Sequence, residues 1–211
     1  MVQQRLLDIA IREFGEKGLD GASTRGIASA AGTAMSSITY HYGGKEGLYL
    51  AAAEHIAAQM VAEMVPDVAL DGAVPTDPAE ARVAIRRMLE VFVDRLASER
   101  HPGWGLFIVR EQLHPTAAFD KLYEGAMGPA IERLVELVCV ASGVRDRATA
   151  RIAGFTMFSQ IIATKSLRAS MLKMMGRETF DDTLVEAIRL RIVANAEAII
   201  DRLIAERQEA A

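Results

Sequence analysis

An all-α fold, with a three-helix head joined to a larger helical body, is the class this sequence predicts, and three observations predict it. Apolar residues recur at three- and four-residue steps through most of the 211 positions. The β-favouring aromatics make up only 6% of the chain, against abundant Ala, Glu, Arg, Leu and Met, a balance that suits helices. Glycines and prolines punctuate these runs, and at 16 and 6 they are few enough to leave long segments whole.

The elements follow in order. Leu6, Leu7, Ile9, Ala10, Ile11 and Phe14 form one apolar face, and Lys17-Gly18 is a stop signal, so a first helix is predicted over about residues 3 to 17. Ser23 is a good N-cap for a short helix with Ile27, Ala28 and Ala31 on one side, ending at Gly32. A third runs from about Ala34 to His41, with Ala34, Ile38 and Tyr42 four apart, and Gly43-Gly44 ends it. Lys45-Glu46 opens a long alanine-rich helix that is expected to stop near Val65, because Pro66 follows. Pro66 to Pro78, rich in Pro, Asp and Gly, is read as a loop. Beyond it the pattern predicts helices over about 79 to 100, 103 to 113, 116 to 141, 145 to 174 and 179 to 207, with Pro129 kinking or splitting the third of these.

Composition excludes several function classes. With 51% hydrophobic and 25% charged residues the chain is globular and has room for a core. The single Cys139 rules out an intrachain disulfide or a multi-cysteine zinc site, and points to a reducing, cytoplasmic setting. No apolar run approaches the roughly 18 residues that span a bilayer, since Glu132, Arg133 and Glu136 break the candidate before Leu137, and Met1 to Arg5 leads into no signal-peptide pattern. No membrane partner is expected. The net charge of −4 does not advertise a nucleic acid, so a DNA partner must be announced by a local motif.

Residues 23 to 42 have the grammar of a helix-turn-helix: two short helices joined by a tight glycine turn, with small Ala28 and Ala31 permitting close approach and Ile27 and Ile38 able to meet beneath the turn. The outer face of the second helix then carries Met35, Ser36, Thr39 and Tyr40, hydroxyls and an apolar tip suited to base edges and thymine methyls. From pattern alone, a helical hairpin buried in an ordinary all-α core fits equally well.

The run from Leu6 through Leu50 resembles the DNA-binding domain of TetR-family transcriptional regulators. It carries Phe14-Gly-Glu-Lys-Gly18, Thr24-Arg25-x-Ile27-Ala28, Ala31-Gly32 and Ile38-Thr-Tyr-His-Tyr-Gly-Gly-Lys-Glu-Gly-Leu-Tyr49 in that order and spacing. The last of these, with His101-Pro-Gly-Trp104, Arg110-Glu-Gln-Leu-His-Pro115 and Phe155-Thr-Met-Phe-Ser-Gln160, is similar to the CecR branch. The resemblance implies a homodimer with a DNA-reading head (1–47) and a ligand-binding and dimerisation body (48–211), in most cases repressing transcription until a small molecule binds. It places Thr24 and Arg25 at the start of the first motif helix, Met35, Ser36, Ser37, Thr39, Tyr40 and His41 on the recognition helix, and Lys45 at a phosphate-contacting helix start, where the N-terminus itself favours an anion. Thr33, Ala34, Met35 and Thr39 depart from the residues common in the family, which bears on base preference rather than on fold. The head balances Arg5, Arg12, Lys17, Arg25 and Lys45 against Asp8, Glu13, Glu16, Asp20 and Glu46, which predicts weak non-specific binding.

Other motifs do not hold up. Gly43-Gly44-Lys45 lacks the first glycine and the final Ser or Thr of a phosphate loop, and Glu111-x-x-His114 lacks the second copy that a di-iron bundle needs. There is no nucleophile elbow or zinc-protease motif, and Cys139 in Leu137-Val-Cys-Val140 reads as a small core residue. No cofactor, metal or catalytic residue is expected. A ligand pocket in the body is assigned to Trp104, Phe107, Arg110, Phe119, Met127, Phe155, Phe158 and Met171, on the ground that aromatic and methionine side chains between helices make an adaptable apolar wall. The family's intersubunit four-helix bundle implies a dimer interface through Phe158, Ile161, Ile162, Leu184, Ile188, Ile192, Asn195 and Ile199. The sequence reading is thus a homodimeric repressor that binds a palindromic double-stranded operator and is released by an apolar or amphipathic effector. A DNA-independent ligand-binding adaptor and a helical enzyme using the body pocket are its rivals.

Overall fold

A computed structural model describes residues 2–68, 72–97, 101 and 103–209, and these hold helices and no strand. The head contains α1 (Val2–Gly21), α2 (Thr24–Ala31) and α3 (Met35–Tyr42), followed by α4 (Lys45–Val68). Then come α5 (Pro78–Ala97), α6 (Trp104–Leu113), α7 (Ala117–Leu122), a π-turn (Tyr123–Met127), α8 (Gly128–Ser142), α9 (Arg147–Ser166), α10 (Arg168–Met175) and α11 (Asp182–Glu209).

Most boundaries fall where side-chain chemistry predicts them. The axis of α1 breaks at Gly18, one residue past the expected end, and only a short turn continues to Gly21. Ser23 caps α2 and Asp146 caps α9, each with side-chain oxygen accepting from backbone amides of the first turn. Three differences have physical causes. Helix α4 runs on to Val68 past Pro66, since a proline in a helix's last turn forfeits one amide bond without blocking the residues that follow. Ahead of Pro129 the chain widens into the π-turn, with the Gly128 amide donating to the Tyr123 carbonyl, so the expected split is a one-residue bulge between α7 and α8. The segment 145–174 parts at Leu167 with neither Gly nor Pro there; Thr164 Oγ1 donates back to the Gln160 carbonyl at 2.9 Å, a hydroxyl competing with the helix ladder just before the break. Residues 98 to 100 of the expected fifth helix lie outside the described residues.

Packing divides the chain into two compact units: Met1–Ala62 with Arg100–Gly128, and Glu63–Glu99 with Pro129–Ala211. In the first, α1 packs on α2 and α6, α2 on α3, and α6 on α7. Its core is Ile11, Phe14, Ile27, Ile38, Leu48, Tyr49, Ile56, Phe107 and Leu122, all buried, each large apolar side chain contributing on the order of 1.5–3 kcal/mol. The α1–α6 crossing is close because it is made of glycines: a Cβ on Gly15 would lie 2.9 Å from the Gly103 carbonyl, and one on Gly103 would lie 2.9 Å from Arg12 Cα. In the second unit α5 packs on α9 and α11, α9 on α11 and α10 on α9. Phe92 meets Phe158 edge to face at 4.9 Å, and Arg82 forks between Glu197 at 2.7 Å and Asp201 at 2.6 Å.

Candidate nucleic-acid interface

The geometry of residues 23–45 is a helix-turn-helix with one face committed to the core and one left outside. Ile27, Ala28, Ala31 and Ile38 are buried beneath the turn. The turn closes through Gly32 in the left-handed region (φ 68°), while the Thr33 amide donates to the Ala28 carbonyl at 3.0 Å; a side chain at Gly32 would meet open space but would strain the backbone. Thr33 Oγ1 also donates to Ser37 Oγ at 3.2 Å, which fixes the approach to α3. With Ile38 anchored, the opposite side of α3 presents Met35, Ser36, Thr39, Tyr40 and His41 to solvent. Tyr40 is 85% exposed and touches His41 edge to face at 4.9 Å, so its ring projects into solvent. Arg25 is exposed at the start of α2, and Thr24 and Ser37 are half-buried beside it.

Lys45 sits at the first position of α4, and its ammonium donates to the Asp20 carbonyl at 2.9 Å, tying α4 to the end of α1. The α3–α4 junction is tight. A Cβ on Gly47 would lie 1.7 Å from the Tyr42 carbonyl oxygen, so only glycine lets α4 start where it does. Of the five basic residues of the head, Lys17 is already paired with Glu13 at 2.6 Å.

Sequence reasoning missed the polar link just behind this surface. The Tyr49 hydroxyl on α4 donates to Glu111 Oε1 of α6 at 2.6 Å, and Glu111 Oε2 accepts from the Thr116 amide at 3.0 Å and hydroxyl at 2.9 Å. Tyr49 and Glu111 are both buried, and burial first, then the bond to Glu111, holds the Tyr49 hydroxyl well above its ordinary pKa. Tyr49 is further clamped between Phe14 at 4.9 Å and Phe107 at 4.7 Å. One residue away, the Arg110 guanidinium donates to the Gly15 and Glu16 carbonyls of α1 at 3.3–3.4 Å. Adjacent residues of α6 therefore hold α1 and α4 in the unit that carries α3. The only sequence signal for this was a hydroxyl-bearing residue inside the apolar stripe of α4.

The residues expected to line a ligand pocket divide between the two compact units. Phe107 lies against Tyr49, and Arg110 bonds to carbonyls of α1. Trp104 stacks on His101 at 3.9 Å, and Phe119 lies against Tyr123. Met127 packs on the core of the first unit. In the second unit Phe158 packs on Phe92, Met171 is half-buried, and Phe155 is exposed to solvent. A shallow cleft with only about 20 Å³ of room for water does occur in that unit, and Val93, Ile161, Thr164, Lys165, Phe180, Val185, Ile188 and Ile192 line it.

The expected dimer residues divide by burial. Ile161, Leu184, Ile188 and Ile192 are buried inside a single protomer, because the inner face of an amphipathic helix and a face offered to a partner show the same 3.6-residue period. Phe158, Ile162, Asn195 and Ile199 are half-buried, with Asn195 Nδ2 donating to Gln160 Oε1 at 2.6 Å across α9 and α11. The outward apolar residues are Ile152 and Phe155 on α9 and Leu190 on α11. Burial pushes the Cys139 thiol up, away from the thiolate form a nucleophile needs. Among the described residues no helix is long and apolar enough to cross a membrane.

Comparison with known proteins agrees with this geometry. A family model for bacterial regulatory proteins of the tetR family matches residues 6–52, and one for the C-terminal domain of the HTH-type transcriptional dual regulator CecR matches residues 81–203, more than half of the chain. CecR of Shigella flexneri is 29% identical over 95% of this chain and 92% of its own length. The HTH-type transcriptional repressor AcnR of Corynebacterium glutamicum is 42% identical over 31% of this chain and 34% of its own. The solved structure of AibR in complex with isovaleryl coenzyme A and operator DNA is similar at a TM-score of 0.70 and 14% identity, covering 92% of this chain and 96% of that one. The fatty acid degradation regulator FadR from Bacillus halodurans is similar at 0.61 and 16%, covering 90% and 97%. At these identities the structural likeness is one of fold.

Proposed function

This chain belongs to the CecR branch of the TetR family of bacterial transcriptional regulators, and from that premise we propose that it is a ligand-responsive repressor. In this reading it binds a palindromic operator as a homodimer, through residues 1–47, and is released when a small apolar or amphipathic molecule occupies the body, residues 48–211. The observation that carries it is the face of α3. A helix pinned by Ile38 on one side displays Met35, Ser36, Thr39, Tyr40 and His41 on the other, the mix of hydroxyls, ring and thioether that reads base edges and methyl groups in a major groove. Thr24, Arg25, Ser37 and Lys45 flank that face and take phosphates; Lys45 exchanges its Asp20 carbonyl for a phosphate oxygen at the cost of one hydrogen bond.

Release works through differential affinity. An effector that favours a conformation in which the two heads no longer match the operator shifts the population away from DNA, and only the difference in affinity between states counts. The Tyr49–Glu111–Thr116 link and the Arg110 clamp support α6 as the element through which the first unit feels that change. CecR is named a dual regulator and AcnR a repressor, so the sign of regulation here is set by where the operator lies.

Fluorescence anisotropy against duplexes tiled from the upstream region of the gene, at two salt concentrations, tests the reading. The expected result is tight binding to one palindromic tile, with log affinity falling against log salt at a slope of about −4 to −5, as for roughly 4 to 6 neutralised phosphates. Tyr40→Ala should lose preference for that tile, and Lys45→Ala should weaken all tiles alike. The charge-balanced head favours one alternative, a DNA-independent ligand-binding adaptor, for which no duplex would be preferred.

A further inference from the structure

The inner face of α8 carries a charge in a place reserved for apolar side chains. Ala130, Leu134, Leu137, Val138 and Ala141 are buried along it, and Arg133, on the same stripe, is 7% exposed. Among the described residues its guanidinium makes one hydrogen bond, Nη2 to the Ala73 carbonyl at 3.0 Å, and its buried Nε has no acceptor. Among the described residues no carboxylate pairs with it: Glu132 is taken by Arg147 at 2.5 Å and Arg151 at 2.9 Å, and Asp77 is spent on the amides that open α5.

An arginine keeps its proton at any ordinary pH, so it cannot escape burial by neutralising as a lysine or histidine would. A buried guanidinium with a single carbonyl for company is costly, and a protein that kept it for stability alone would do better with a methionine. The cost is recovered when an oxyanion with two acceptor oxygens, a carboxylate or a phosphate, takes the free edge of the fork. The carbonyl that now faces Arg133 belongs to Ala73, an exposed residue ahead of α5.

We propose that Arg133 is the anchor of an anion-binding effector site in the body, and that the effector is an acid whose carboxylate or phosphate sits on this guanidinium. This rests on the reading of the chain as a ligand-responsive regulator and names the chemical class of the ligand.

The test is thermal unfolding of the full chain with hexanoate, hexyl phosphate or hexanol at equal ionic strength, for the wild type and Arg133→Met. Wild type should unfold about 5 to 10 °C higher once an anion exceeds its Kd about a hundredfold, and hexanol should not reproduce the shift. Whether hexanoate or hexyl phosphate gives the larger shift assigns the head group. Arg133→Met should unfold at or above the ligand-free wild type and should lose the response to both anions. Equal shifts with hexanol, an anion response that survives in Arg133→Met, or a ligand-free Arg133→Met less stable than wild type would each overturn the proposal, the last by making the guanidinium a strut for the loop. Operator binding measured on the same two proteins separates the two readings. Selective DNA binding without an anion shift refutes the Arg133 site alone, whereas an anion shift without selective DNA binding refutes the regulator and leaves the site standing.

Discussion

Tyr49 shows how much one hydroxyl can do in a helical core. Its ring fills the gap between Phe14 and Phe107, and its hydroxyl donates to a buried carboxylate whose other partner among the described residues is Thr116. Tyr49→Phe keeps the packing and removes one donor from buried Glu111, which should cost on the order of 1–3 kcal/mol. Denaturant unfolding should show the midpoint falling with the slope unchanged, and an unaltered midpoint would mean that solvent reaches Glu111. At this scale the sequence was half legible. Ser23, Gly32 and Ile38 stand where propensity and spacing put them, because a cap, a left-handed turn and an anchor are local events. Tyr49 with Glu111, or Arg133 with Ala73, are joined across 62 and 60 positions, and no local pattern reports such a pair.

Helices are the scale at which periodicity is strongest as a guide to existence and weakest as a guide to role. The long helices are where their apolar steps predict them, yet the period that located α9 and α11 could not say which face turns inward. Ile161, Leu184, Ile188 and Ile192 face their own protomer. In the proposed dimer, the outward residues Ile152, Phe155 and Leu190, with the half-buried Ile162 and Ile199, are open to an intersubunit bundle. Phe155→Glu together with Leu190→Glu should therefore give monomers by light scattering with full helicity by circular dichroism, since exposed charges cost nothing until a partner buries them. Ile192→Asp, in contrast, should unfold the protomer. Dimer mass persisting in the double variant would move the interface elsewhere. The π-turn before Pro129 and the break at Leu167 belong to this scale too: the first is a proline's effect displaced by one residue, the second a hydroxyl competing for a helix carbonyl, and only the first had a visible signal.

For the whole molecule, packing and sequence motif draw different lines. The motif ends near residue 47, but α6 and α7 belong to the same compact unit as the helix-turn-helix, because Gly15 and Gly103 let α6 lie against α1 and Arg110 and Glu111 fasten it there. The reading that follows is of a DNA-reading face, α3, carried on a unit whose α4 and α6 are tied through Tyr49 and Glu111. The most direct test of that central claim is selection of bound duplexes from a random library by the purified full chain. A palindrome whose half-site centres lie about one helical turn, roughly 34–36 Å, or a multiple of it apart should be enriched, and Tyr40→Ala should abolish that enrichment. Failure of the wild type to enrich any sequence, or the same palindrome enriched equally by Tyr40→Ala, would contradict it.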